Sequence, residues 1–368
     1  MNKFIFLIYF GILCSTFSFA QTSDSILFGS TLTNSEINFT DSINALNTQN
    51  QLLSDSRNAY NTGLEFMNND HLEEAIIQFT HAITIDSIFA AAYISRAKCY
   101  EKSDNTLAIT DYTRVFTLDS TELSPLYNIA RIQSLSDRNL GISTYNAILE
   151  LNYQQEKAHY ELGVLLYLEG KIDDAIFSFS TSSAIKEDAR TYNDRGSCYR
   201  KLEKYDAAIK DYLKAIALDA ELAFVYNNIA STYRKQGDNE QAMNYYSLAI
   251  TKDKDYVLSY NNRGSLHLDL GNYLLAIADI NKAILLDTDY APAYNNRGVI
   301  KHQSKEYIAA IADFDKAIQL NKNYSKAYIN RGISRQMTRD DEGACNDWRK
   351  AKELGINVAE KYLGNDCE

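Results

Sequence analysis

Ser259-Tyr-Asn-Asn-Arg-Gly264, Ala293-Tyr-Asn-Asn-Arg-Gly298 and Ala327-Tyr-Ile-Asn-Arg-Gly332 are variants of one hexapeptide, each copy 34 residues after the last. A fixed period of this length means that one supersecondary unit is stacked repeatedly, so the register of the unit decides the fold. Carried backwards, the register gives nine units over residues 56–358, starting at 56, 90, 123, 156, 189, 223, 257, 291 and 325. The eighth position is always small: Gly63, Ala97, Ala130, Gly163, Gly196, Ala230, Gly264, Gly298 and Gly332. The twentieth is alanine in eight units, from Ala75 to Ala344, and the unit starting at 123 departs with Gly141 and Ile142. The twenty-fourth is large: Phe79, Tyr112, Tyr145, Phe179, Tyr212, Tyr246, Ile280, Phe314 and Trp348. Small residues at two places let antiparallel helices approach, and one large residue fills the space left between them. Turn signals such as Gln236-Gly-Asp and Leu270-Gly-Asn separate the two helices.

This small, alanine and aromatic pattern on a 34-residue helix-turn-helix unit resembles the tetratricopeptide repeat. The resemblance implies an all-α, right-handed superhelical solenoid of antiparallel helix pairs, with each unit covered by its neighbours. It also implies protein partners and no cofactor. The proline that usually closes a unit is missing. Pro125 and Pro292 stand instead in the first turn of an opening helix, where a lost N–H costs nothing. Residues 359–368 are expected to cap the last unit, with a helix beginning over Ala359 to Cys367.

The flanks are read from composition. Residues 1–20, MNKFIFLIYFGILCSTFSFA, have the charged, apolar and small-residue layout of a signal peptide cleaved after Ala20. The alternatives are a membrane anchor formed by residues 4–20, or lipidation at Cys14, which the bulky Leu13 before it disfavours. Once this segment is removed, no membrane insertion is expected. Residues 21–55 are rich in Ser, Thr, Asn and Gln, with four acids and no Lys or Arg, which reads as a polar flexible segment, although 42–53 could form a covering helix. Asn38-Phe39-Thr40 fits a glycosylation acceptor in a eukaryotic secretory host.

Charge bounds the partner. With 37 Lys+Arg against 48 Asp+Glu the chain carries a net −11, so binding nucleic acid through bulk electrostatics is excluded. Position two and positions twelve and thirteen nevertheless supply Lys157, Arg190, Arg200, Lys201, Arg234 and Lys235 in the middle units. These are expected to gather beside the inner face and to attract an acidic segment or a C-terminal carboxylate.

Position seven is arginine in five units (Arg96, Arg195, Arg263, Arg297 and Arg331), and the same five carry aspartate at position twenty-three (Asp111, Asp211, Asp279, Asp313 and Asp347). A guanidinium fork suits a carboxylate, so a pair linking the two helices of each such unit is expected. Copying of whole units would leave the same match without energetic coupling. Position six supplies Asn61, Asn128, Asn228, Asn262, Asn296 and Asn330, with Ser95, Glu161 and Asp194 in the other units. This looks like the asparagine ladder of protein O-GlcNAc transferases, and the resemblance implies amides that hold an extended peptide by its backbone; bonds to the neighbouring helix or to water are the alternative.

Cys345 and Cys367 could form a disulfide if the tail folds back, whereas Cys99 and Cys198 occupy the same slot three units apart and read as small buried residues. The five histidines, at 71, 81, 159, 267 and 302, have no metal spacing, and no nucleophile or phosphate-loop motif appears. The expected role is therefore a binding scaffold or adaptor of the bacterial cell envelope, in the periplasm or secreted, with no enzymatic activity. The alternative is a structural subunit of a permanent envelope complex, assembled through its outer face and ends.

Overall fold

The computed structural model describes residues 34–357 together with 359, 362, 363 and 367. Residues 1–20, and with them the signal segment, its cleavage point and Cys14, lie outside the described residues. Eighteen α-helices follow one another without a strand among the described residues. They pack as successive antiparallel pairs: α1 (Asn34–Asn68) with α2 (Leu72–Ile85), α3 (Ala90–Tyr100) with α4 (Asn105–Leu118), α5 (Ser124–Ser136) with α6 (Arg138–Leu151), and α7 (Glu156–Leu168) with α8 (Ile172–Ile185). The second half continues with α9 (Ala189–Lys201) on α10 (Tyr205–Leu218), α11 (Ala223–Gln236) on α12 (Asn239–Lys252), and α13 (Val257–Asp269) on α14 (Tyr273–Leu286). The last pairs are α15 (Ala291–Gln303) with α16 (Tyr307–Leu320) and α17 (Ser325–Met337) with α18 (Asp341–Glu353).

Local chemistry sets the boundaries. The Asp104 carboxylate accepts from the backbone N–H groups of Thr106 and Leu107, and Asp188 does the same for Arg190 and Thr191, each satisfying donors that an opening helix leaves unpaired. Pro125 and Pro292 lie in first turns. Between the helices of seven pairs the chain passes through the left-handed region. Gly170, Gly237 and Gly271 take it there, but Asp70, Glu203, Lys305 and Arg339 hold the equivalent place at φ of 58 to 67°. An L side chain in that region costs about 1 to 2 kcal/mol, partly offset by the greater unfolded-state freedom of glycine. Lys305→Gly should therefore stabilise the fold by about 0.5 to 1 kcal/mol, read as a higher urea midpoint, and Gly271→Lys should do the reverse.

The core repeats one contact. A Cβ added to Gly298 would fall 2.6 Å from the Phe314 ring, and one on Gly63 2.6 Å from Phe79, so the eighth residue is small because the twenty-fourth occupies its space. The twentieth-position alanines are buried as well, Ala75, Ala108, Ala175, Ala208 and Ala242 in one cluster each with the ring of their own unit. Odd-numbered helices also touch the next odd helix along the runs α7, α9, α11, α13, α15, α17 and at α1·α3, which even-numbered helices do not do to a comparable extent. Closer spacing of the odd row makes it the inner face, and the even row the outer one.

Two expectations about the ends are corrected. The segment 21–55 is not a flexible tether from Asn34 onward, because α1 runs unbroken for 35 residues and the repeat register begins only in its second half. Ser56 and Ala59 are buried, whereas residues 39–54 are exposed. At the other end, described residues 357, 359 and 367 lie in 3₁₀ turns rather than an α-helix. They still cover the last pair: Ala359 is buried and Tyr362 stacks on Trp348 at 5.2 Å.

Candidate functional site

The inner face is built from the odd helices, each of which carries positions five and six of its unit. The structure brings these two positions together across units. Asn330 Nδ2 donates to Asn295 Oδ1 at 2.9 Å, Asn296 Nδ2 to Asn261 Oδ1 at 2.9 Å, Asn262 Nδ2 to Asn227 Oδ1 at 3.0 Å and Asn228 Nδ2 to Asn193 Oδ1 at 2.9 Å. Within a unit, Asn295 and Asn261 donate to the following Asn296 and Asn262 at 3.4 Å. A continuous amide chain thus runs from Asn330 to Asn227. The position-five asparagines are buried and the position-six ones half-buried. Sequence reasoning named the sixth position and missed the fifth, which the Asn-Asn doublet displays. One N–H of Asn228, Asn262, Asn296 and Asn330 is thus spent on the first helix of the preceding unit.

The ladder stops at the central units. Asp194 accepts from Tyr160 Oη at 2.9 Å and from Asn193 Nδ2 at 2.9 Å, and burial raises its carboxyl above the usual range. Glu161 is raised by burial as well. Asn61 is exposed. Asn128 shares a recess with Lys157, whose Nζ lies 5.1 Å from the Tyr127 ring centre.

The six basic residues do not form one cluster, which corrects the expectation. Position two and positions twelve and thirteen are at opposite ends of a 13-residue helix, about 15 Å apart at 1.5 Å per residue. Lys157 and Arg190 therefore stand at one edge of the inner face. Arg200, Lys201, Arg234 and Lys235 stand at the other. Arg234 is further committed, donating to Ser265 Oγ at 3.1 Å and pairing with Asp269. Arg200, Lys201 and Lys235 remain, and they line a recess of about 350 Å³ with Tyr167, Tyr205 and the single acid Glu203. Lys201 Nζ sits 4.9 Å from the Tyr167 ring centre, a cation-π distance.

All five Arg-Asp couples are bidentate. Arg96, Arg195, Arg263, Arg297 and Arg331 each donate from Nε and Nη2 to the two oxygens of Asp111, Asp211, Asp279, Asp313 and Asp347, at 2.5 to 2.9 Å. The third nitrogen reaches back to the preceding unit, to Thr80, Ser180, Ser247, Asn281 and Asp315 in turn. Each guanidinium also lies 5.2 to 6.0 Å from a position-four tyrosine ring. The hydrogen bond to the partner aspartate raises Arg96, Arg195, Arg263 and Arg297 above the ordinary arginine value. Each of these arginines thus joins the two helices of its own unit to the second helix of the preceding one.

Cys345 and Cys367 are bonded, with Cα atoms 5.4 Å apart, while Cys99 and Cys198 are free and buried. Among the described residues no three or more His, Cys, Asp or Glu gather as a metal site requires, and no helix is long and apolar enough to cross a membrane.

Models of the tetratricopeptide repeat match residues 187–255, 257–290 and 291–324. No curated protein sequence matches the chain. The crystal structure of a tetratricopeptide repeat protein from Parabacteroides merdae superposes with a TM-score of 0.56 at 18% identity, covering 66% of this chain and 98% of that one. The Cut9 and Hcn1 hetero-tetramer of the APC/C contains a chain with the same TM-score at 14% identity, covering 84% of this chain and 76% of that one. At such identities the likeness is one of fold. The matched models make residues 187–255 and 257–324 tetratricopeptide repeats, and with the same register of small, alanine and aromatic positions in the other units the fold of the chain is that of a tetratricopeptide repeat solenoid.

Proposed function

We propose that the protein is an adaptor of the cell envelope that holds an extended segment of another protein along its inner face, with an acidic stretch or C-terminal carboxylate of that segment seated beside Arg200, Lys201 and Lys235. The repeat family acts through protein partners, and in a chain of net −11 the observation that carries the reading is a recess with three cations, none of them in an ion pair, against one acid. Such a recess focuses field on an anionic group. The half-buried amides beside it would satisfy an extended backbone without reading its side chains. The disulfide and the signal-like residues 1–20 support an oxidising compartment outside the cytoplasm.

The test uses a labelled octapeptide ending in three acidic residues and a free carboxylate, with fluorescence anisotropy as the readout. Affinity should fall about tenfold or more when Arg200→Glu/Lys235→Glu is introduced, and should weaken as salt rises. Unchanged binding in that variant would overturn the reading and favour a subunit assembled through its outer face and ends.

A further inference from the structure

The outer face carries a groove of its own. It runs between α6 and α8, both of which pack on α7 beneath, and encloses about 600 Å³. It sits at the least regular unit, where Gly141 and Ile142 replace the alanine found elsewhere, and α5 lacks the close odd-row contacts of α7 and beyond. Its lining includes the buried Leu149, Leu162 and Leu166 and the walls Ile142 and Phe177. Phe177 is 64% exposed and Tyr153 52%, so large apolar surface stands open to solvent there. The polar groups have a definite sense. His159 Nε2 donates to the Tyr153 carbonyl at 3.0 Å, and burial lowers the imidazole's pKa, so a neutral ring with an acceptor at Nδ1 lies in the lining. Glu150 ends α6 and Asp174 opens α8; both are exposed, and neither enters an ion pair. Because α6 and α8 run in the same direction, these acids mark opposite ends of the groove.

An apolar floor between two free carboxylates has a matching occupant. We infer that this groove docks a partner-protein segment in which one bulky apolar side chain is flanked on both sides by lysine or arginine. The volume falls in the range that small recognition sites use, about 300 to 1,000 Å³, and accepts an aromatic anchor with its adjoining backbone. Charge complementarity selects the flanks, and the net −11 of the chain works against a second copy as occupant. The inference does not rest on the inner-face reading. The two surfaces call for partners of opposite charge on opposite faces, so the protein would bridge two ligands.

The probe is a labelled 12-residue Gly-Ser peptide with a central Trp and two Lys on each side, titrated into the full chain by fluorescence anisotropy. Replacing its Trp by Ala, or its Lys by Glu, should each weaken binding about tenfold or more. Glu150→Lys/Asp174→Lys, at two exposed positions that leave the core intact, should reverse the preference from the Lys to the Glu peptide. Arg200→Glu/Lys235→Glu on the inner face should leave Lys-peptide binding unchanged, which separates this inference from the proposed function. Equal affinity for the three peptides, binding untouched by the double charge reversal, or sedimentation showing that chains associate through Phe177 instead would overturn it.

Discussion

Arg195→Met should destabilise the central units by about 3 kcal/mol, Asp211→Leu by a similar amount, and the two together by much less than their sum. The pair is nearly out of solvent, with side-chain exposures of 17% and 9%, so removing one partner strands the other charge. Changing both replaces the pair with apolar volume and strands nothing. The serines that Arg195 also reaches keep bonds of their own, since Ser180 Oγ donates to Ile176 O and Ser183 Oγ to Ser180 O. Hydrogen exchange over α9 and α10 reads the effect locally, which suits an array whose units unfold semi-independently. If the singles simply add, the matching of arginine and aspartate records copied units and no coupling.

The same residues show where sequence reading stops. Positions seven and twenty-three are legible because the residue types never vary within the matched units. The backward contact is not, since Thr80, Ser180, Ser247, Asn281 and Asp315 share the twenty-fifth position and an acceptor oxygen but no residue type. Comparing identities hides a chemistry that comparing acceptors would reveal. The ladder illustrates a different limit. In Asn295-Asn296 one side chain is buried and its neighbour half-buried, because consecutive residues on a helix are turned by about 100° from each other. Which of the two faces the adjacent unit depends on packing.

The basic residues failed for a third reason: a shared unit number is not proximity, and a helix length lies between Arg190 and Arg200. Of the helix over residues 34–55, only the stretch 42–53 was legible. Their Ser, Thr, Asn and Gln content reads as a tether, yet Phe39, Ile43, Leu46 and Leu53 recur at helical spacings, and the helix continues straight into the packed half of α1.

Breaking the tail disulfide should have the second large effect, and a confined one. Cys345 and Cys367 are 22 residues apart, and closing a loop of that size stabilises by about 3 kcal/mol in the chain-entropy view. In Cys345→Ser/Cys367→Ser, or in the reduced chain, the cost should fall on α17, α18 and the covering tail. Amide exchange there should accelerate by about a hundredfold, with α9 to α14 unchanged, because each unit contacts only its neighbours. Trp348 supplies a second readout: it is 2% exposed and stacked on Tyr362, so loosening the tail should shift its emission to the red. Its indole N–H has no hydrogen-bond partner, so solvent entering there would meet an unsatisfied donor and hold the opening. Exchange that rises evenly along the chain would mean that the nine pairs unfold as one body. Exchange and emission that do not move would mean that stacking of Tyr362 and burial of Ala359 hold the cap without the bond.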